Sequence, residues 1–560
     1  MKMFKRRKLM SLQIAAVVAA TCVMATPAHA LRLFETNPDW NVHLDTSFQQ
    51  TLGFRMQSRK AGIANNPFFA EGDYKFNQGD IVTNRGNVIV SFTAVYKNHM
   101  GFRISGSGWK DFAYDDTVKT NPNFPGGATG PFSTYPSGHY SSTTYKYTVQ
   151  GAEWLDAFAF YNGRVDNIPY YVKIGRFTQY WGNAIFFGFS NIAYGQNSID
   201  FYKAFAQPGS QLQELYLPRG QAMFTINPTN SLSLTAEYFF ENRVNRYPEG
   251  GTYLGPFDIL YQGPTSGGAL SASLGGPVSA GHNYQPNGIN NNFGLRAIYS
   301  PSWLGGTLGV YYRQFADPHP WTVLSLNPGG GGALNLRYAQ HTKLYGLSFE
   351  KTMGLFSLGA EVSYRQGTAL STAVGVASKG AAGDIYNVIG NVIYTMPSTP
   401  FWDTGNLIAE VSYTHLLRVS QNPQLFNGIG YGGCPSGYKF DGCATKNAVA
   451  VAFLFDPQWL QVFPNVNLDM PMSLTLGARG NPAYVAGAFY AQGAKLYSIG
   501  LRATYNSNSS LEVVYNGYYY HHSQLVPNGV GGQMYAGTGG NGAVALNDKG
   551  WIGIIFKTSF

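Results

Sequence analysis

Charge is scarce in this chain. Asp, Glu, Lys and Arg make up 12% of its 560 residues, about half the share usual in soluble domains. Beyond the N-terminal thirty residues no run of eighteen apolar side chains occurs, which excludes membrane-spanning helices. Cysteine is rarer still: after Cys22 only Cys434 and Cys443 follow, with no His or third Cys close to them. Zinc is therefore not expected. Neither a Gly-rich phosphate loop nor a Ca²⁺ loop of repeated acids is present, so no cofactor or metal site is expected.

The start of the chain reads as an export signal. Lys2, Lys5, Arg6, Arg7 and Lys8 precede an apolar stretch that ends in Ala28-His29-Ala30, a small-x-small cleavage site. The apolar run is short and no stop-transfer pattern follows, so a membrane anchor is the weaker reading. Residues 1–30 are expected to be removed near Ala30, leaving 31–560 as one exported domain. Removing five positive charges from a formal +9 leaves +4, which gives nucleic-acid binding no electrostatic support. In an exported chain Cys434 and Cys443 are expected to close a local disulfide.

Aromatics, at 15%, and 68 glycines are what the chain has in abundance. Together with export and low charge they fit a transmembrane β-barrel, with a soluble secreted β-protein as competitor. The segment 230–241 places Leu232, Leu234, Ala236, Tyr238 and Phe240 on one face, against Ser233, Thr235, Glu237 and Glu241, with Phe239 the exception. The segments 355–365 and 497–505 alternate in the same way. Strands of about ten residues are expected. Connections alternate strictly between short ones, such as Lys97 to Met100, and long ones, such as Asp116 to Gln150. Two medium ones, Met396 to Gly405 and Asp456 to Pro471, fall on the short side. This predicts an all-β antiparallel barrel of 18 strands, with 16 as fallback, and both termini in the periplasm. The closing "WIGIIFKTSF" keeps Ile552, Ile554, Phe556 and Phe560 in phase, which predicts Phe560 as the signal read by the barrel assembly machinery of a Gram-negative outer membrane.

Inward faces carry Arg85, Arg103, Glu237, Arg296, Arg313, Glu350, Glu361, Arg365, Glu410, Arg502 and Glu512. These form either a pairing network or a ladder steering an ionic solute, and the mixed signs favour pairing. Lys173 and Arg176 are three apart, so both face inward only if a bulge occurs at Gly175. Between two clear strands, Trp181 to Gly209 holds eight aromatics in twenty-nine residues and two charges, Asp200 and Lys203. Glu214 and Arg219 follow it. An aromatic surface of that size in water is costly, so residues 182–219 are expected to fold into the lumen or its mouth. Trp181, Phe186, Phe187, Phe189, Phe201 and Phe205 then form a plug or an apolar path, and Arg176, Asp200 and Lys203 tie it to the wall or orient a polar head.

The stretches "VKIGRFTQYWGNAIFFG" and "NSIDFYKAFAQPGSQLQELYLPRGQAMFTINPT", with "NQGDIVTNRGNVIV" and the last strand, resemble the domain of unknown function 1302 family of proteobacterial outer-membrane barrels. The motif positions are Gly175, Arg176, Trp181, Gly182, Asn197, Asp200, Pro208, Gly209, Glu214 and Pro218. Asn183 stands where the motif has Glu, which puts any role of that carboxylate in doubt. The resemblance implies a barrel in outer-membrane lipid that handles hydrophobic small molecules such as lipids, steroids or aromatics. It also implies a periplasmic partner and an RND-type transporter. The expected function is a channel or transporter for such molecules. The alternatives are a general or gated porin for small polar solutes, and an adhesin or assembly scaffold. An enzyme is not expected, because "HHS" at His521 and "THL" at Thr414 lack a Ser nucleophile with an orienting partner.

Overall fold

The computed structural model describes residues 31–33, 37–206, 212–283, 292–535 and 543–560. The segment 1–30, expected to be an export signal, lies outside the described residues, as do Pro208 and Gly209.

Burial shows which way the alternation faces. In Phe356–Ala369 the exposed positions include Leu358 and Val362, while Glu361, Ser363 and Arg365 are buried. In Lys495–Tyr505, Ile499 and Leu501 are exposed. Apolar side chains point out and polar ones in, as a lipid-facing wall requires.

Eighteen strands form that wall. The first nine are β1 (Trp40–Arg55), β2 (Ile81–Tyr96), β3 (Met100–Asp111), β4 (Gln150–Val165), β5 (Ile168–Phe177), β6 (Arg219–Thr229), β7 (Leu232–Phe239), β8 (Phe293–Tyr299) and β9 (Thr307–Phe315). Then follow β10 (Thr342–Met353), β11 (Phe356–Ala369), β12 (Ala382–Met396), β13 (Thr404–Gln421) and β14 (Asn447–Phe463). β15 has two pieces, Val466–Asp469 and Met472–Arg479; β16 (Lys495–Tyr505), β17 (Ser509–Tyr519) and β18 (Trp551–Ser559) complete the set. Each pairs antiparallel with the next, and β18 pairs with β1 from Ser47↔Ser559 to Arg55↔Trp551. Closure satisfies the edge groups that lipid cannot. Phe560 extends the seam: its N–H donates to the Thr46 carbonyl at 2.7 Å.

Short turns gather at one end. Asp166-Asn167, with φ of 47° and 69°, makes a two-residue hairpin turn of the kind whose twist suits its strands. Large exposed rings mark both rims, Trp303 and Phe401 at the turn end, Phe112 and Trp154 at the other, as interfacial girdles do. The long connections build a crown at the second end, and its rings pack with inward wall residues such as Tyr311, Leu344 and Ile385. The core of this molecule is therefore inside its barrel.

Two expectations need correction. Asp456 to Pro471 is not a medium connection: β14 continues to Phe463 and the chain returns after Pro464-Asn465. What imitates a loop there is Met470-Pro471, between the two pieces of β15, where proline has no N–H for the ladder. Many strands also exceed ten residues, β13 having eighteen, because they run on past the apolar band into the crown.

Candidate functional site

The connection from β5 to β6 leaves the wall after Phe177 and rejoins it at Arg219. It crosses the lumen. Phe187 packs on Ile389 of β12 and on Ala450 and Ala452 of β14, and β14 is nine strands from β5, half of eighteen.

Backbone taken into a barrel needs partners for its N–H and C=O groups. Two wall carboxylates take the N–H groups. Glu361 accepts from Asn183, from Ala184 at 2.8 Å and from Ile192 at 2.9 Å. Glu410 accepts from Ile185, Phe186 and Phe187 at 2.6, 2.8 and 2.9 Å. Arginines take the carbonyls: Arg313 donates to Ile192 and Tyr194, and Arg219 donates to Gly195 at 3.2 Å. Gly182 has φ of +93°, and a Cβ there would overlap the Glu361 carboxylate. That explains the Trp-Gly pair: only glycine lets the loop approach Glu361 so closely. Asn183 donates its side-chain amide to the Phe349 carbonyl at 2.9 Å, so it adds an amide anchor beside the Glu361 carboxylate.

The rings lie inside this scaffold. Trp181 and Phe187 are fully buried and Phe186 packs partly buried beside Phe187. Phe189, Phe201, Tyr247 and Tyr261 stack in series at centroid distances of 5.1, 5.1 and 4.4 Å. Phe205 reaches Phe489 at 5.5 Å. Offset stacking of this kind adds to the burial energy of the rings.

The returning limb is tied by a buried ion cluster. Lys203 Nζ lies 3.3 Å from Glu153 and 3.4 Å from Glu214. Arg246 is 2.8 Å from Glu153 and also binds Asp200. Asn87 donates to Glu214 at 2.6 Å. Buried charges persist when each has several partners, as here. Glu153 and Arg246 escaped sequence reading. Glu153 has inward parity on β4, but Arg246 sits in a connection without periodicity.

The remaining wall charges do other work. Arg85 lies between Trp109 and Tyr202, 5.1 and 5.2 Å from their ring centres. Arg103 is 3.6 Å from Asp156. Gln196 donates to Glu237 at 3.0 Å, and Arg365 lies 4.0 Å over the Tyr194 ring. Lys173 sits over the Phe158 ring at 3.8 Å. Arg176 does not join it. Register runs unbroken from Ala157↔Arg176 to Val165↔Ile168, so no bulge occurs at Gly175 and Arg176 shares parity with outward Ile174. Arg176 pairs with Glu241 at 2.6 Å at the loop-side rim. The register shift is on β4 instead, between Ile104 and Gly106 of its partner, and it turns both Leu155 and Asp156 inward.

Above the plug, six of the long connections enclose a cavity of about 300 Å³. Its lining includes Tyr247, Tyr261, His319, Trp321 and Phe489, with Thr372, Asn427 and Asp441 as polar members. Asn245 and Tyr247 hold the His319 ring. Burial, with the Arg365 charge as a smaller cause, pushes that imidazole down to about 3, so it is neutral at ordinary pH. A second void of about 10 Å³ lies on the plug side, lined by Phe189, Tyr194 and again His319. His319 lines both and stands between them, with the Phe189 ring 4.9 Å from it on the plug side. Cys434 and Cys443 are joined, with Cα atoms 5.7 Å apart, in the connection that supplies Asn427 and Asp441. His521 and His522 pack on Phe440 and Tyr535.

A closed outer-membrane β-barrel with one long connection folded across its lumen is the class these features define. A family model described as protein of unknown function (DUF1302) matches residues 11–560, and the chain belongs to that family. No curated protein matches it. Among solved structures it is similar to OpdK of Pseudomonas aeruginosa, crystallised with vanillate, at 9% identity over 93% of this chain and 98% of that one, with a TM-score of 0.41. It is also similar to OccAB1 of Acinetobacter baumannii, at 10% identity, 95% and 98% coverage and a TM-score of 0.41. A BenF-like porin from Pseudomonas fluorescens Pf-5 is similar at 8% identity, 93% and 98% coverage and a TM-score of 0.40.

Proposed function

We propose that the protein is an outer-membrane channel for hydrophobic or amphiphilic small molecules, exported by cleavage of its signal near Ala30. The observation that carries this is the division of labour in the crossing loop. Wall carboxylates and guanidiniums hold its backbone, so its rings are left to face one another, the apolar wall and, at Phe189 and Tyr194, the small void beside them. A constriction built that way presents apolar surface to a solute while the loop stays satisfied. The resemblance adds a periplasmic partner and an RND-type transporter as the machinery on the other side, and neither is needed for passage through the barrel itself.

A second reading has its own observation. Near the turn end a cavity of about 550 Å³ is lined by Asp469, Arg502, Glu512 and Lys557, a polar vestibule that suits a porin for small polar solutes. The test compares the wild type with a Phe186→Ser, Phe189→Ser double variant in proteoliposomes. The apolar path predicts slower passage of a neutral aromatic and little change for a sugar, at normal yield of folded barrel. Faster sugar passage with unchanged aromatic passage favours the polar porin.

A further inference from the structure

The cavity above the plug is built rather than left over. Six separate connections contribute to it: Tyr247 and Tyr261 from β7–β8, His319 and Trp321 from β9–β10, Thr372 from β11–β12, Asn427 and Asp441 from β13–β14, Phe489 from β15–β16 and Ala543 from β17–β18. Loops closing at random over a barrel would bring polar tips together. Here they bring rings, and Trp321 is almost wholly buried in forming the wall. Val374, which also lines the cavity, is 46% exposed, so one side reaches solvent.

Size and charge limit what enters. A dry cavity of about 150 Å³ holds one benzene ring; at about 300 Å³ this one has room for two such rings, or for three that are fused and share edges. No Lys or Arg lines it among the described residues, and its one carboxylate is Asp441. An organic anion would thus meet a like charge and no cation. A hydroxyl or amine donor, by contrast, finds Asp441, Asn427 and Thr372 at the polar side. Flat rings find Tyr247, Tyr261, Trp321 and Phe489 for stacking.

We infer that this cavity is an external binding site for uncharged two- or three-ring compounds carrying one hydrogen-bond donor, and that it selects them before they reach His319, which stands between it and the void beside Phe189. The inference rests on the channel reading for its purpose but not for its test. Purified full-length protein in amphipol is dialysed to equilibrium against 2-naphthol and, separately, against 2-naphthoate, which has the same rings and a negative charge. The expected result is saturable binding of one 2-naphthol per chain, with 2-naphthoate bound at least about tenfold more weakly. Ala373→Trp fills the cavity from an uninvolved lining position and is expected to weaken 2-naphthol by about tenfold or more, with heat-modifiable mobility unchanged. Ala488→Trp fills it from a different connection and serves if the first variant does not fold. Equal binding of the two probes, or binding that both filled variants leave intact, overturns the inference. Binding without passage in proteoliposomes would overturn the channel and leave the site standing; passage without binding would do the reverse.

Discussion

Glu410 decides the position of the plug more than any ring does. A carboxylate that accepts three backbone N–H groups replaces their hydration in one step, and charge-assisted bonds contribute about 1.5–3 kcal/mol each. Glu410→Ala leaves Ile185, Phe186 and Phe187 N–H groups to find water, so the crossing loop is expected to loosen while the barrel remains. Planar-bilayer recording checks this: conductance should rise in Glu410→Ala, rise less in Glu410→Gln, and stay low in the wild type. A wild-type trace from both variants would show that the loop needs no carboxylate. At the other end of the chain, Phe560 closes the β18–β1 seam through the Thr46 backbone and ends the in-phase apolar face. Its deletion is expected to reduce heat-modifiable barrel in the outer membrane far more than it reduces secretion. The inward parity of Glu410 was readable from its strand. Its partner was not, because parity names a face and says nothing about which distant loop comes to it.

The crown depends on contacts between connections, and some of these titrate. Glu71, in the short helix Ala70–Tyr74 of the β1–β2 connection, accepts from Ser133 and Thr134 of the β3–β4 connection. Burial, and then Asp258 of β7–β8, pushes Glu71 up to about 8; burial likewise raises Asp258 to about 6, against its backbone N–H bonds and Lys549. A raised carboxyl binds its proton more tightly in the folded crown than in an opened one. The stabilisation is therefore complete below the ordinary Glu range, near 4.5, and is lost as pH rises through about 8. Hydrogen exchange at residues 69–74, corrected for intrinsic rates, should show easier opening above about pH 8 and a flatter pH response in Glu71→Gln. The same opening in both proteins at every pH would remove Glu71 as the cause. The disulfide is a smaller device: closing a short loop contributes at most about 3 kcal/mol, so Cys434→Ser with Cys443→Ser should keep the barrel and free only its own connection to proteolysis. Strands were legible because a two-residue period is local. The β4 bulge and the Pro471 interruption were not, since both depend on how a neighbouring strand is registered. Gly175 was the natural place to expect a bulge, yet its φ of 132° is accommodated within an unbroken ladder.

At the scale of the whole molecule, the barrel is inside out relative to a soluble protein, and its lumen is where burial occurs. Polar wall residues would make an open, wet pore if nothing filled it; the connection from β5 to β6 fills it with rings, each worth roughly 1.5–3 kcal/mol when buried. The placement of that connection is testable in intact cells, because the two cysteines of the barrel, Cys434 and Cys443, are tied to each other and give no background. Val374→Cys, at a 46% exposed position on the crown, should react with a bulky membrane-impermeant thiol reagent. Phe187→Cys should not, since Phe187 has no exposed surface and packs on β12 and β14 across the lumen. Combining Phe187→Cys with Glu410→Ala should restore reactivity, because the loop then leaves the wall without the barrel coming apart. Free reaction of Phe187→Cys on its own would mean that the loop lies outside the lumen in cells, and the constriction, with the passage built on it, would fall. Protection that persists in the combined variant would instead show that the packing of Phe187 against Ile389, Ala450 and Ala452 holds the loop without its carboxylate anchor.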